Sequence, residues 1–350
     1  MDIEQPKACV SAPPHARVGR APHQAMPRVI PNPGGNAMTL APLGKRFVFS
    51  VLDDTDDATL ENVQPVYALL QELGLRTTKT VWPLDCPEGS RHFFAAETLQ
   101  SKAYLRFVHE LVDAGFEPAF HGATMESSRR ERTLQGLEFL RSEFGSYPRL
   151  FCNHGQNREN LYWGSQRFST PGLRALSRIV SRNLGEYYAG NTEGSEFFWG
   201  DVCRDVIQYV RNFTFERLNV LEVDPAMPYH VASAPYVRYW FSTTDAHNVD
   251  AFNRVVALRK IDQLEENGGV CIVSTHFGKG FAKNGRVHPT TENLLRHLAS
   301  KAGWFVPVSD VLDRLLRAGR GQSLTRRELL QLELRFVVDR VRQGWSPASR

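Results

Sequence analysis

The sequence predicts an α/β barrel, a ring of parallel strands covered by helices. Three observations favour this fold. From Arg46 onward, short apolar runs alternate with amphipathic stretches of helical length. Acidic residues and histidines follow several of these runs, as expected where the loops of a barrel converge on one face. The chain of 350 residues is also long enough for one such domain.

The predicted elements can be placed in chain order. The first strand covers residues 47–52, and the helix after it begins near Thr59 and ends at Gly74. Further strands are predicted at 76–82, 116–121, 149–153, 186–188, 219–223, 236–241, 269–275 and 304–308. Further helices are predicted at 96–115, 130–144, 171–182, 251–267 and 290–301. The pattern is weakest between residues 160 and 235, where the strand count stays open by one.

Two terminal segments stand apart from the barrel, which we assign to residues 45–317. Residues 1–44 are rich in proline and poor in large apolar side chains, so we expect a disordered tail. Met38 near its end is a second candidate start of translation. Residues 318–350 are predicted to form a C-terminal helical appendage packed on the barrel. An oligomer contact is the other use considered for this helix.

Composition argues against several classes of partner. The formal net charge is +4 and the basic residues are scattered, which disfavours nucleic acid. No apolar run reaches the roughly 18 residues of a transmembrane helix, and the N-terminus lacks the apolar segment of a secretory signal. The five cysteines are dispersed and form no C-x-x-C pair. This usage favours reduced thiols and a cytoplasmic location over a thiolate metal cluster.

Residues suited to metal binding or proton transfer follow four of the predicted strands: Asp53-Asp54, His121, His154 and His276. One carboxylate and two imidazoles can hold a divalent ion, with zinc expected, and leave a position open for water and substrate. A second carboxylate can remove a proton, and a histidine can return one near neutral pH. The pattern therefore indicates metal-dependent hydrolysis.

The order of these residues resembles the motifs of the polysaccharide deacetylase (NodB-homology) family. Residues 47–54, FVFSVLDD, are similar to the first motif, and residues 114–122, AGFEPAFHG, to the second. Residues 151–155, FCNHG, stand in the place of the third, and residues 268–276, GGVCIVSTH, resemble the last. The likeness spans roughly residues 46 to 315. The phrases HGATM and CNHGQN are similar to a divergent WbmS-like branch found in surface-polysaccharide gene clusters.

This resemblance implies a distorted (β/α)7 barrel and a carbohydrate deacetylase, a hydrolase of carbon–nitrogen amide bonds. Its substrate would be an N-acetylated sugar or polysaccharide precursor. The motifs assign the general base, two metal ligands and the general acid, in that order, to Asp53, Asp54, His121 and His276. The family's second ligand histidine follows the first by four residues, and that position here is Met125. His154 is the candidate replacement.

Substrate contacts are expected from six polar or aromatic side chains: Asn153, Trp82, Tyr162, Trp163, Arg238 and Trp240.

Other interpretations of the site residues stay open. A glycoside hydrolase on the same barrel would need two carboxylates, Asp53 with Asp245 or Glu193, and no metal. A sugar-binding barrel without metal or catalysis is favoured by Met125. The acidic run at 53–57 is also compatible with a turn that caps the following helix.

Overall fold

A computed structural model describes residues 40–92, 96–155, 157–180 and 187–344. Seven parallel strands form its centre: β1 (Phe47–Asp53), β2 (Thr78–Val81), β3 (Glu117–Phe120), β4 (Leu150–Phe151), β5 (Tyr209–Phe215), β6 (Tyr239–Asp245) and β7 (Gly269–Thr275). Each strand pairs with the next, and β7 pairs with β1 along its whole length. The strands therefore close into a ring, and the predicted α/β barrel is confirmed.

Three short strands lie outside this ring. An antiparallel hairpin is formed by β8 (Ala282–Lys283) and β9 (Arg286–Val287). The third, β10 (Gly303–Phe305), pairs with residues 47–49 of β1, whereas β2 pairs with β1 from Leu52 onward. The same edge of β1 thus pairs with β10 at the start of β1 and with β2 at the end of β1. This shared edge distorts the ring.

Helices surround the barrel: α1 (Leu60–Glu72), α2 (Lys102–Asp113), α3 (Arg130–Phe144), α4 (Pro171–Val180), α5 (Gly200–Val206), α6 (Val249–Val255), α7 (Leu258–Asn267), α8 (Pro289–Ala299), α9 (Val308–Arg317) and α10 (Arg326–Arg342). The first begins where predicted, because the Thr59 side chain accepts a hydrogen bond from the Asn62 N–H. Within the described residues, no helix is long and apolar enough to cross a membrane.

Side-chain alternation along the strands sorts the core into two layers. On β1, Val48 and Leu52 pack inside the barrel with residues of the other strands. Phe47, Phe49 and Val51 face the opposite way, against the surrounding helices. At the end of β1, Asp53 therefore continues the outward row, whereas Asp54 continues the inward row. This difference decides which carboxylates reach the mouth of the barrel.

The middle of the chain differs from the prediction. Residues 219–223 contain a short 3-10 helix (Val220–Glu222) rather than a strand, and residues 187–188 are irregular; Glu186 lies outside the described residues. The strand that fills this place is β5, which was not predicted. Its sequence, YVRNFTF, carries the polar pair Arg211 and Asn212 at its centre. The helix predicted at 251–267 is also two helices, α6 and α7.

The C-terminal appendage packs against β5 through α10, where Leu329, Leu332 and Phe336 are buried. Two polar contacts fix it. Arg340 Nη2 donates to Asp245 Oδ2 at 2.9 Å, and Glu333 accepts hydrogen bonds from backbone N–H groups at the start of α4. Residues 1–39, most of the expected disordered tail, and residues 345–350 lie outside the described residues.

Candidate metal and catalytic site

Side chains from three loops converge at the carboxyl end of the barrel. Asp56 follows β1, His121 follows β3 and His154 follows β4. Asp56 Oδ1 lies 3.3 Å from His121 Nε2 and 3.5 Å from His154 Nε2. One ligand atom from each residue falls within 4.8 Å of the others. Among the described residues, this is the group with the composition and spacing of a metal site.

The three residues fit a divalent ion. A tetrahedral ion about 2.1 Å from its ligands separates neighbouring ligand atoms by roughly 3.4 Å, close to the distances from Asp56 Oδ1. That oxygen is buried and has no hydrogen-bond partner among the described residues. An unsatisfied buried carboxylate oxygen is costly unless a charge is bound to it. A mixed nitrogen and oxygen set suits zinc and related ions.

Hydrogen bonding and burial act on the two histidines. His121 Nδ1 donates to the Cys152 carbonyl at 2.9 Å, which orients Nε2 toward Asp56. Burial lowers the pKa of His154 to about 4, despite the opposing effect of Asp56, so the imidazole is neutral at ordinary pH. The Trp82 ring packs on both, with centroids 4.8 Å from each.

Asp54 lies beside this group and is paired with a cation. Its Oδ2 accepts a hydrogen bond from Arg211 Nη1 at 2.6 Å, and its Oδ1 is buried without a partner in the described part of the chain. Burial acts to raise the pKa of Asp54, but Arg211 and the nearby histidines outweigh it, and the pKa lies below its ordinary value. Asp54 is therefore an ionised carboxylate with one free oxygen.

His276 completes the site from the end of β7. Its Nδ1 donates to the His247 carbonyl at 2.8 Å, and its Nε2 lies 3.3 Å from Asp56 Oδ2 and 4.0 Å from Asp54 Oδ2. Burial would lower the pKa of His276, but the two carboxylates raise it above its ordinary value. A raised pKa favours the protonated form of the imidazole. Lys279 Nζ lies 3.6 Å from Asp56 Oδ2 on the open side.

Asp53 is not brought into this group. It points away from the barrel mouth and is fully buried. Its Oδ2 accepts hydrogen bonds from Tyr67 Oη at 2.8 Å and Lys79 Nζ at 2.9 Å, and its Oδ1 accepts one from the Phe277 N–H at 2.8 Å. Because neighbouring strand residues face opposite sides, Asp53 and Asp54 cannot both reach the mouth. Asp54 and Asp56 are the aspartates that lie at the mouth.

The loop that carries these acids is fixed on two sides. The Thr55 N–H donates to Thr80 Oγ1 at 2.9 Å, which ties the loop to β2. On the other side, Gly278 lies so close that a Cβ there would be 2.6 Å from the backbone carbonyl atoms of Asp57. Asp57 itself adopts φ 58, the left-handed conformation that aspartate tolerates. The loops after β1 and β7 therefore fit together without room for a side chain at residue 278.

Three of the six expected substrate-binding residues have structural contacts instead. Trp82 is buried behind His121 and His154, with 1% of its surface exposed. Asn153 is buried and exchanges two hydrogen bonds with the Leu161 backbone. Arg238 donates to the carbonyls of Arg204 and Asp205, near the end of α5. Backbone contacts thus occupy Asn153 and Arg238, whereas Trp82 Nε1 is buried without a hydrogen-bond partner in the described part of the chain.

The other three expected residues lie together beside the site. Trp163 Nε1 donates to the Gly155 carbonyl at 2.9 Å, next to His154. Tyr162 and Trp240 pack edge to face with centroids 6.0 Å apart, and both line an open cavity. Met125, in the family's second histidine position, lines a different small pocket with Cys86 and His92. His154 occupies the space near Asp56 instead.

The carboxylate pairs considered for a glycoside hydrolase do not meet in a usable form. Asp53 has no free oxygen, Asp245 is paired with Arg340, and Glu193 accepts a hydrogen bond from the Tyr236 hydroxyl.

Two residues of the site were not predicted from the sequence: Asp56 and Arg211. Asp56 stood in the acidic run that drew attention to the site, and Arg211 lay in the unpredicted strand β5.

Comparison with known proteins gives likeness in structure only. No family model and no curated protein matches the chain. A Mycobacterium smegmatis structure assigned as a polysaccharide deacetylase has a TM-score of 0.49 at 13% identity, covering 85% of this chain and 99% of that one. A Pseudomonas aeruginosa PAO1 structure with the same assignment has a TM-score of 0.46 at 12% identity, covering 82% and 95%. Likeness of this degree identifies no reaction.

Proposed function

We propose that the protein is a metal-dependent hydrolase that removes an acetyl group from the nitrogen of an N-acetylated sugar or polysaccharide precursor. The observation that supports this most strongly is the group Asp56, His121 and His154. It is flanked by the ionised carboxylate of Asp54 and by His276, whose pKa is raised. Amide hydrolysis needs this combination: a Lewis acid, a base and an acid on one small face. The motif resemblance points to the same chemistry.

The residues divide the work as follows. Asp56, His121 and His154 would hold a divalent ion, zinc by preference, which supplies polarisation of the acyl carbonyl and activation of water. Asp54 Oδ1 accepts a proton from water, and the Arg211 ion pair keeps the carboxylate ionised and in place. His276 donates a proton to the departing amine through Nε2. The base is thus Asp54, one residue beyond the position that the motif resemblance implies.

Metal content of the purified protein tests the proposal. We expect one equivalent of zinc or a similar ion in the wild type and in Asp57→Asn, and none in Asp56→Asn, His121→Ala or His154→Ala. Asp57 is the matched control, because it stands in the same loop but its side chain is half exposed. The metal-loaded wild type should release acetate from N-acetylglucosamine oligomers, and the three metal-site variants should not.

Two results would overturn the proposal. One is a wild type that binds no divalent ion even after zinc addition, which would favour a sugar-binding barrel without catalysis. The other is loss of metal in Asp54→Asn with retention in Asp56→Asn, which would restore the ligand role that the resemblance gives Asp54.

Three further predictions concern the biological setting: a surface-polysaccharide pathway, the WbmS-like branch and a cytoplasmic location. In support of the last, the described cysteines, Cys86, Cys152, Cys203 and Cys271, are all free and buried.

A further inference from the structure

An open cavity of about 240 Å³ is lined by residues of the segment after β4, of β5, of β6 and of α10. Its walls combine two arginines, two aromatic rings and several small polar side chains, including Arg167, Arg174, Tyr162, Trp240, Asn212 and Ser233. No carboxylate is among the lining residues. Glu333 of α10, one turn beyond the lining residue Leu329, accepts hydrogen bonds from the N–H groups of Ser169 and Thr170. The lining is therefore positive and rich in hydrogen-bond donors.

Arg167 is the central cation of this wall. Its guanidinium carbon lies 3.5 Å from the Trp163 ring centroid, and Nη2 donates to the Asn212 carbonyl at 3.1 Å. Within the described residues it forms no ion pair with a carboxylate, and neither does Arg174. Burial, together with the neighbouring cations Arg340 and Arg211, lowers the pKa of Arg167 to about 9, although Asp245 acts to raise it. An anion in the cavity would relieve this unfavourable environment.

Two donors of the cavity residues have no partner. Arg167 Nε and Trp240 Nε1 are buried, and neither donates a hydrogen bond within the described part of the chain. Trp240 has 3% of its surface exposed and lines the cavity. Buried donors are nearly always satisfied in folded proteins, and a bound ion or ligand is one explanation of an exception. Both residues line the same cavity, which makes one ligand with several acceptor oxygens the simplest partner.

Two contacts connect residues of the cavity wall to neighbours of the catalytic residues. Trp163, which stacks on Arg167, also donates to the Gly155 carbonyl beside His154. On β5, Asn212 lines the cavity and follows Arg211, which holds Asp54. The half-buried ring of Tyr162 gives the cavity an apolar surface on which a sugar ring can stack.

We propose that this cavity binds the phosphate group of a phosphorylated N-acetyl sugar, so that the substrate of the proposed deacetylation is an anionic sugar rather than a neutral polymer. The proposal rests on the proposed function for its reaction, but binding at the cavity requires no catalysis. Arg167 presents a planar set of N–H donors suited to phosphate oxygens, and Arg174 adds a second charge at the half-buried rim.

Isothermal titration calorimetry of metal-free protein in EDTA tests this site. The probes are N-acetylglucosamine 1-phosphate, N-acetylglucosamine and inorganic phosphate. We expect the sugar phosphate to bind the wild type at least tenfold more tightly than either of the others. Arg174→Gln and Ser233→Asp should weaken its binding about tenfold each, because one removes a cation and the other adds a carboxylate. Arg259→Gln, on the exposed surface of α7, is the matched control and should bind like the wild type.

His121→Ala separates this proposal from the proposed function. It removes a metal ligand outside the cavity, and we expect its affinity for the sugar phosphate to equal that of the wild type. Equal binding of the neutral sugar and the sugar phosphate would overturn the proposal, as would equal binding of inorganic phosphate and the sugar phosphate. Unchanged affinity in both Arg174→Gln and Ser233→Asp would also overturn it. A wild type that binds the sugar phosphate but lacks metal would disprove the proposed function alone.

Discussion

The carboxylates at the end of β1 lie on two sides of the strand, in different surroundings. Asp53 lies on one side, and Asp54 and Asp56 lie on the other. All three are buried or nearly so. The oxygens of Asp53 are fully occupied by a lysine, a tyrosine and a backbone N–H. Asp54 and Asp56 each keep one buried oxygen without a hydrogen bond among the described residues. The first arrangement stabilises the fold, and the second leaves valences free for an ion or a proton.

The partners of each carboxylate explain this division. Lys79 is a residue of β2, and its Nζ lies over the ring of Tyr67 on α1, so the Asp53 ion pair connects β1 to β2 and to the helices outside the barrel. Arg211 approaches Asp54 from inside the barrel, and three histidines surround Asp56. A run of aspartates thus acquires two functions because strand geometry directs alternate residues to opposite faces. Exchange of single carboxylates should separate the two functions.

The largest expected effect is on catalysis, from Asp54→Asn. If Asp54 is the general base, the amide cannot accept a proton, and kcat should fall by about 10²- to 10⁴-fold. Metal content should stay at the wild-type level, because Asp54 is not among the three proposed ligands. The measurements are acetate release and metal analysis of the same preparation. Activity above a tenth of the wild-type value would exclude Asp54 as the base.

The next effect is on stability, from Asp53→Asn. The change leaves Lys79 charged, with 1% of its surface exposed and without its counterion. Loss of one partner of a buried ion pair costs roughly 3–5 kcal/mol, so we expect a fall of that order in the free energy of unfolding by urea. Asp53→Asn with Lys79→Met should recover part of the loss. A fall below about 1 kcal/mol in Asp53→Asn would show that this pair does not stabilise the fold.

The sequence predicted the barrel because its decisive signals are local. Strand β7 and helix α3 have the bounds expected from apolar runs and from helical spacing. Strand β5 escaped prediction because Arg211 lies inside the barrel, where a strand pattern requires an apolar residue. What makes Arg211 acceptable there is Asp54, which is 157 residues away in the chain. No local pattern contains that compensation.

The same reasoning applies to the candidate site. Histidines at strand ends could be found from the sequence, since the position alone brings His121, His154 and His276 to one face. The choice among the aspartates could not, because it depends on the pleat of β1 and on the turn at Asp57. A shift of one residue reverses the side that a carboxylate faces. The motif resemblance indicates the loop after β1, and the direction of each side chain in the structure distinguishes the aspartates of that loop.

A fourth buried acid, Glu159, sharpens the comparison because it forms no ion pair with a cation among the described residues. Burial raises its pKa to about 7, although hydrogen bonds from the Ser128 N–H and the Asn157 amide act to lower it. A raised pKa means that the native state holds a proton that the unfolded state has released. Stability should therefore fall as the pH rises from the ordinary glutamate value of 4.5 toward 7.

We expect Glu159→Gln to remove this decline. The wild type should lose up to roughly 3 kcal/mol from this group between pH 4.5 and pH 8, and the variant should not. The measurement is urea unfolding at both pH values, with Glu131→Gln on the exposed start of α3 as control. Parallel pH profiles of the variant and the wild type would show that Glu159 is ionised at no cost in the native state.

The smallest effect concerns Lys279, which lies 3.6 Å from Asp56 Oδ2 and competes with a metal ion for the same carboxylate. About a third of its side chain is exposed, so solvent screens this interaction, and a pair of this kind is worth roughly 0.2–1 kcal/mol. Lys279→Gln should therefore raise the affinity for zinc by about two- to fivefold, measured by competition with a chelating dye. Lys283→Gln, on the exposed hairpin strand β8, is the control. A lower affinity in Lys279→Gln would show that Lys279 does not compete with the metal ion for Asp56.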